Sequence, residues 1–234
     1  MNKRNLLVAV GVLFLATQGM AQYFMPPITG LSTTEPGTLT AADGTVYENC
    51  TIRGLVMSGA QINRVNIRTA DGQKLKFKAE DVASMQYPPS ELAKFDQAME
   101  ATTGSVQSLF NTDFDAILER EMIYYEANNS PRGRGKVVLM QLVNPGFESK
   151  IAVFNDPWAS ETMSVGIGGV TLAGGLEKSY YVRKGEEIMK VQKRGYAQTF
   201  ANLFADCERM MEEFPNPQWK NFATHVFAYD QWCE

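Results

Sequence analysis

Glycine-bearing turn signals recur so closely along this chain that little besides short antiparallel strands fits between them. They include Asp43-Gly44, Asp71-Gly72, Asn144-Pro145-Gly146, Gly174-Gly175 and Lys184-Gly185. An Asp-Gly pair suits a two-residue hairpin because both positions tolerate positive φ. The flanking segments alternate as strands do. Val65, Ile67 and Thr69 are interleaved with Asn66 and Arg68, and Leu75 and Phe77 with Lys74, Lys76 and Lys78. With a side-chain period of two, one face is buried and the other wet. Thr45–Arg53 reads as a further strand with Val46, Cys50 and Ile52 apolar, and the segment AEDVASM as a helical or 3-10 turn. Residues 37–87 are therefore expected to form a small, strongly bent β-barrel module.

Pro88-Pro89-Ser90 marks a boundary, because proline disfavours helix before it and Ser90 can cap a helix after it. Leu92, Phe95, Met99 and the apolar residues through Leu118 recur at helical spacing, which predicts a helical linker over 88–118. Residues 119–194 return to short strands at Met122–Glu126, Lys136–Val143, Lys150–Phe154, Ser164–Val165 and Val170–Leu172. A hairpin of Ser179–Arg183 with Glu187–Gln192 comes next. Lys136–Val143 is apolar without alternation, so it is expected to be central and covered on both faces. This region reads as an antiparallel sandwich or barrel-like module. Over 195–234, Phe200, Leu203, Phe204 and Cys207 make one helical stripe that Pro215 stops. Asn216-Pro217 reads as a cap restarting a helix with Trp219, Phe222, Val226 and Tyr229. The expected fold class is α+β, ending in a helical hairpin packed on the second β module.

The first residues have the pattern of a targeting segment. Lys3 and Arg4 precede an apolar run from Leu6 to Ala16, and Gly19-Met20-Ala21 ends it with small residues. This predicts a signal peptide over 1–21 cleaved before Gln22, an extended leader over 22–36, and a periplasmic or secreted destination. No later segment is apolar enough to span a bilayer as a helix. The net charge of −4 opposes nucleic-acid binding, which calls for a strong positive balance. Of the three cysteines, Cys207 and Cys233 share the helical region and are the expected disulfide pair, a loop worth about 3 kcal/mol in the chain-entropy model. Cys50 is expected to be a buried free thiol on a strand.

Two regions carry a resemblance to known proteins. The Asp-Gly hairpin of residues 37–87, with a closing strand that runs into a short helix, resembles the Sm-like small-barrel class, which implies a fold and no activity. YYVRKGEEIMKV, GYAQTFANLFADC and FATHVFAYDQWC, with QLVNPGFESKIAVFNDP before them, resemble uncharacterised secreted proteins of Bacteroidetes bacteria over Lys136 to Cys233. That resemblance implies an exported protein whose two C-terminal cysteines pair. It transfers no activity.

Few residues carry diagnostic chemistry. The single histidine, His225, falls by the apolar stripe of the last helix and reads as a partly buried helix residue. There is no HExxH, paired CxxC or EF-hand loop, and no cofactor motif: Gly166-Ile167-Gly168-Gly169 and Gly133-Arg134-Gly135-Lys136 both read as turns. Asp113, Asp115, Glu119, Glu121 and Asp156 supply carboxylates whose separation in space decides whether they could hydrolyse sugars. Tyr124-Tyr125 and Tyr180-Tyr181 each must send one ring to either side of a strand. The candidate binding face is basic: Arg64, Arg68, Lys74, Lys76 and Lys78. These features predict an exported, non-enzymatic envelope protein that binds a protein or glycan partner, with a secreted carboxylate-dependent hydrolase as the alternative.

Overall fold

The computed structural model describes residues 24–96, 119–132, 135–159 and 176–233. The expected signal peptide, most of the linker, the strands around Gly166–Gly169 and the Gly133-Arg134 turn lie outside them. The described strands are β1 (Gly37–Ala41), β2 (Val46–Ser58), β3 (Gln61–Arg68), β4 (Lys74–Lys78), β5 (Val82–Tyr87), β6 (Ile123–Asn129), β7 (Val137–Leu142), β8 (Ile151–Asn155), β9 (Ser179–Lys184) and β10 (Glu187–Gln192). The described helices after them are α1 (Tyr196–Leu203), α2 (Glu208–Glu213) and α3 (Phe222–Trp232).

All ten strands form one antiparallel sheet in the order β10-β9-β8-β7-β6-β5-β1-β2-β3-β4, and an additional β7–β3 pairing closes it on itself. The closed part is a barrel of six strands, β5-β1-β2-β3-β7-β6, and β4, β8, β9 and β10 lie outside the ring. The sheet forks twice. Ile62 of β3 pairs with Leu139 of β7, while Arg64–Arg68 pair with β4. On β7, Leu142 pairs with Phe154 of β8.

The strands read as two separate β modules thus belong to one sheet. β5 pairs with β6 along Ser84–Tyr87, directly across the linker. Alternation specifies which face of a strand is buried, not which strand lies beside it, so the sequence left this junction open. Other differences are local. β2 runs on through Gly54 to Ser58, because a register shift between Ile52 and Gly54 accommodates the break in alternation. Of the segment AEDVASM, only Ala79–Asp81 forms a 3-10 turn, and Val82 begins β5. Asn216 caps no helix. The chain re-enters helical geometry at Trp219–Asn221 and then α3, where Trp219 is seated in the core.

Three buried clusters result from this arrangement. The barrel core contains Leu39, Cys50, Ile52, Ile62, Val65, Ile67, Met85, Tyr87, Ile123, Tyr125 and Leu139. A second core lies between one face of β8–β10 and the helices, joining Val143, Ile151, Val153, Tyr180, Val182 and Val191 to Phe200, Phe204, Met210, Phe222 and Val226. The opposite face buries Met140, Leu142, Phe154 and Tyr181. At about 2 kcal/mol or more for each fully buried large side chain, these contacts dominate the favourable energy. The leader is anchored too. Phe24 joins the helix-side core, Ile28 and Leu31 join the barrel core, and the Met25 amide donates to the Val143 carbonyl at 2.7 Å.

Two particular features fasten the ends. Asn144 is buried behind β7 and ties the following turn through its side chain. Its Nδ2 donates to the carbonyls of Phe147 (3.0 Å) and Ile151 (2.8 Å), and its Oδ1 accepts from the Val153 amide (2.7 Å). Cys207, in the break between α1 and α2, is disulfide-bonded to Cys233 at the end of α3, across 26 residues of sequence. Cys50 is a buried free thiol, 2.8 Å from the Tyr87 hydroxyl.

Two measurements check this packing. A Cβ on Gly37 would overlap the Gln86 carbonyl and the Tyr87 ring of the neighbouring β5. Gly37→Ala is expected to cost about 1–3 kcal/mol, read as a lowered urea midpoint. The Cys207→Ser/Cys233→Ser double variant is expected to lose about 3 kcal/mol. Non-reducing peptide mapping should recover the two half-cystines in one linked peptide, and two free thiols would contradict the pairing.

Candidate functional site

The β3–β4 hairpin gathers the basic residues singled out in the sequence. Alternation sends Val65 and Ile67 into the barrel core, so Arg64, Asn66 and Arg68 point outward. On β4, Lys74, Lys76 and Lys78 are exposed and Leu75 and Phe77 pack inward. Register then sets like charges opposite one another in two pairs, Arg64 with Lys78 and Arg68 with Lys74, while the neutral Asn66 faces Lys76. Directly opposed like charges destabilise an antiparallel pair. Among the described residues only Lys78 is compensated by an ion pair, to Glu80 at 3.0 Å. That pairing holds its ammonium above the usual lysine range, with Asp81 assisting and Arg64 opposing. Among the described residues no acidic side chain pairs with Arg64, Arg68, Lys74 or Lys76.

Sequence reading missed a sixth member. Arg53 sits at the β2 irregularity beside this face and is exposed. An alternation template has no place for an irregularity, which is why it was passed over. Asp71 stays at the hairpin tip, accepting from Thr69 Oγ1 and from Gln73 Nε2, so it is turned to the loop.

Among the described residues, the carboxylates named from sequence do not assemble. Asp113 and Asp115 lie outside the described residues, and Glu119 and Glu121 are exposed. Asp156 is buried and its oxygens are engaged. Oδ1 accepts from the Trp158 amide (3.1 Å), and Oδ2 meets Ser179 Oγ and Lys190 Nζ, both at 2.7 Å. That arrangement pins the end of β8 to β9 and β10. Glu177 stands apart: burial, with the nearby Asp156 charge, raises its carboxyl to about 7.

His225 is fully buried in the helical layer. Its Nδ1 lies 2.7 Å from the Tyr196 hydroxyl, the rings of Tyr196, Phe200 and Phe214 surround it, and burial lowers it to about 4. Among the described residues no serine or cysteine bonds to it as a nucleophile would. Tyr180 and Tyr181 are both buried, one in the helix-side core and one in the opposite cluster, so neither offers a binding surface. Tyr125 lies in the barrel core, and Tyr124 is partly buried against the outer cluster.

Two buried polar side chains were not singled out in sequence. Gln141 interrupts the apolar run of β7 and is 1% exposed, yet neither of its amide atoms has a partner. Arg120 is 6% exposed just ahead of β6, with Nη2 unpartnered. A polar residue within the most apolar strand was the available signal for the first. Nothing in the sequence marked the second.

Among the described residues no cluster of three or more His, Cys, Asp or Glu side chains is placed to hold a metal ion, and no helix is long and apolar enough to cross a membrane. Comparison with protein-family models, with curated proteins and with solved structures finds no match to this chain.

The two shifted groups give opposite pH dependences. Glu177 holds its proton more tightly folded (about 7) than at its ordinary value of 4.5, so its contribution to stability is complete below about 4.5 and lost as pH rises through 7. His225 is depressed from 6.5 to about 4, so its contribution is complete above 6.5 and lost as pH falls through 4. In urea titrations, wild type should lose stability relative to Glu177→Gln as pH rises from 4.5 to 7. It should lose stability relative to His225→Phe as pH falls from 6.5 to 4. A pH-independent difference in either pair would remove that group from the balance.

Proposed function

We propose that this chain is an exported, non-enzymatic binding protein of the cell envelope, and that the β2–β3–β4 face takes an anionic glycan. The observation that carries this reading is the in-register basic surface of Arg64, Arg68, Lys74, Lys76 and Lys78, with Arg53 beside it. Lysines on an edge strand are a common guard against strand-to-strand aggregation, and β4 is an edge. That guard accounts for Lys74, Lys76 and Lys78 but not for the arginines. β3 is an interior strand, and charges on it protect no edge. Arginine presents a planar fork that matches carboxylate, sulfate or phosphate groups, which a repeating acidic polymer would supply along the hairpin.

The disulfide between Cys207 and Cys233 fits an oxidising compartment outside the cytoplasm, in line with the signal-peptide pattern at the N-terminus. A relation of Lys136–Cys233 to secreted Bacteroidetes proteins, which its motifs imply, would give the same location. The net charge of −4 favours a glycan over nucleic acid, since the basic residues form one local face on an acidic chain. A carboxylate-dependent hydrolase is the second reading, and the raised carboxyl of Glu177 beside Asp156 favours it.

Surface plasmon resonance on immobilised polygalacturonate, with neutral dextran as reference, tests the binding face. Wild type should bind the acidic polymer with an affinity that falls steeply with salt. Arg64→Gln/Arg68→Gln should weaken it about tenfold or more, and Lys74→Gln/Lys76→Gln/Lys78→Gln should flatten the salt dependence. Equal binding by the variants, or equal binding to dextran, would refute the assignment. Release of reducing ends from the polymer by wild type and not by Glu177→Gln would move the function to the hydrolase.

A further inference from the structure

One end of the barrel, under the leader, has a buried cation that no acid pairs with among the described residues and, nearby along the leader, a buried unsatisfied amide. Gln141 shares the face of β7 that carries Leu139 into the barrel core, and it lies directly across from Tyr125 of β6. Both amide atoms lack partners although the side chain is 1% exposed. Arg120 donates from Nε to the Met122 carbonyl (3.2 Å) and from Nη1 to the Pro26 carbonyl (2.5 Å), which leaves Nη2 free. Arg120 leads into β6, whose Tyr125 lies opposite Gln141. The leader joins the two from the other side. Pro26 accepts from Arg120, and Met25 bonds Val143, two residues beyond Gln141 and on the same side of the chain.

Neither group is accounted for by folding. An unpaired buried amide or guanidinium costs the desolvation of each open donor and acceptor, and more for a charge. A buried cation is ordinarily matched by an acid. No carboxylate among the described residues reaches Arg120; its remaining contacts are backbone carbonyls. Buried polar groups left without partners are places where a ligand can supply them, and Gln141 is the one side chain among the described residues with both amide atoms open.

We infer that the barrel end beneath the leader binds a small organic acid carrying a hydroxyl beside its carboxylate, held between Arg120 Nη2 and the Gln141 carboxamide. The donor set selects this class. Arg120 Nη2 and Gln141 Nε2 each require an acceptor, which a carboxylate supplies. Gln141 Oε1 requires a donor, which the carboxylate lacks and an adjacent hydroxyl provides. A simple carboxylate satisfies only part of the set, and a polymer cannot enter a barrel interior packed with side chains. The site is therefore separate from the basic outer face and independent of it.

Thermal unfolding of the full chain with glycolate, lactate, acetate and chloride at matched ionic strength tests the inference. Glycolate or lactate should raise the midpoint by several degrees, acetate by less, and chloride not at all. The response should persist in Lys74→Gln/Lys76→Gln/Lys78→Gln, which separates it from the outer face. Gln141→Leu should raise the midpoint of the ligand-free protein, since an apolar side chain replaces an unpaired amide, and should lose the response to the hydroxy acids. Arg120→Met should lose it as well. If Arg120→Met does not fold, Gln141→Leu still decides. An unchanged response in Gln141→Leu overturns the inference, as does no response in wild type or an equal response to chloride.

Discussion

The rest of the structure depends on one strand having more than two neighbours. β7 pairs with β6 along its whole length, with β8 at Leu142 and with β3 at Leu139. Its residues and the one after them supply all three buried clusters: Leu139 the barrel, Val143 the helix-side core, and Val138, Met140 and Leu142 the opposite face. Close packing makes such a strand intolerant of displacement, because a shift toward any neighbour opens a void against another. The β3–β7 contact is short, yet it turns an open sheet into a closed one. Without it β3 and β7 would each expose unpaired backbone at the ring closure.

Much of the local architecture was legible. Alternation in Val65–Thr69 and Lys74–Lys78 told which side of the hairpin would be wet, and the lack of alternation in the largely apolar Lys136–Val143 told that its strand would be covered on both faces. The Asp-Gly and Lys-Gly turns fell where hairpins form, with Gly44, Gly72 and Gly185 all at positive φ. Partnership was not legible. A strand's residues encode burial, and the identity of its neighbour comes from long-range closure. So β1–β5 and β6–β10 were read as two units. Asn216-Pro217 has the chemistry of a helix start, but the core seats Trp219 and the helix begins there instead. Tertiary packing overrode local preference, as it commonly does for short helices.

The candidate sites divide along the same line. The five basic residues of the outer face were recognisable because exposure of a strand face is set by period two. Arg120 was not, and Gln141 was marked only as a polar residue in an apolar strand, because what makes them unusual is the lack of a partner, which depends on the fold around them. The two places also differ in electrostatic character. The cations on β3 and β4 are solvated and screened, so their mutual repulsion is modest and salt-dependent. The Arg120 guanidinium is buried, which lowers it to about 10, and no acid among the described residues pairs with it.

Closure between Ile62 and Leu139 also imposes an order on events as the chain emerges. β1 to β5 are available together, joined by short hairpins, while β7 lies beyond the linker. Until it arrives, the hydrophobic lining of the first five strands has no far wall, and β3 presents an open backbone at the place β7 will later occupy. Contacts between residues so distant in sequence form slowly, and unpaired strand backbone is prone to mispairing in the interval. The charged outer row of β4 stands beside that opening for the whole interval. A chain built this way is vulnerable in proportion to how long its second half is delayed, which places the hazard in the timing of folding and not in the finished structure.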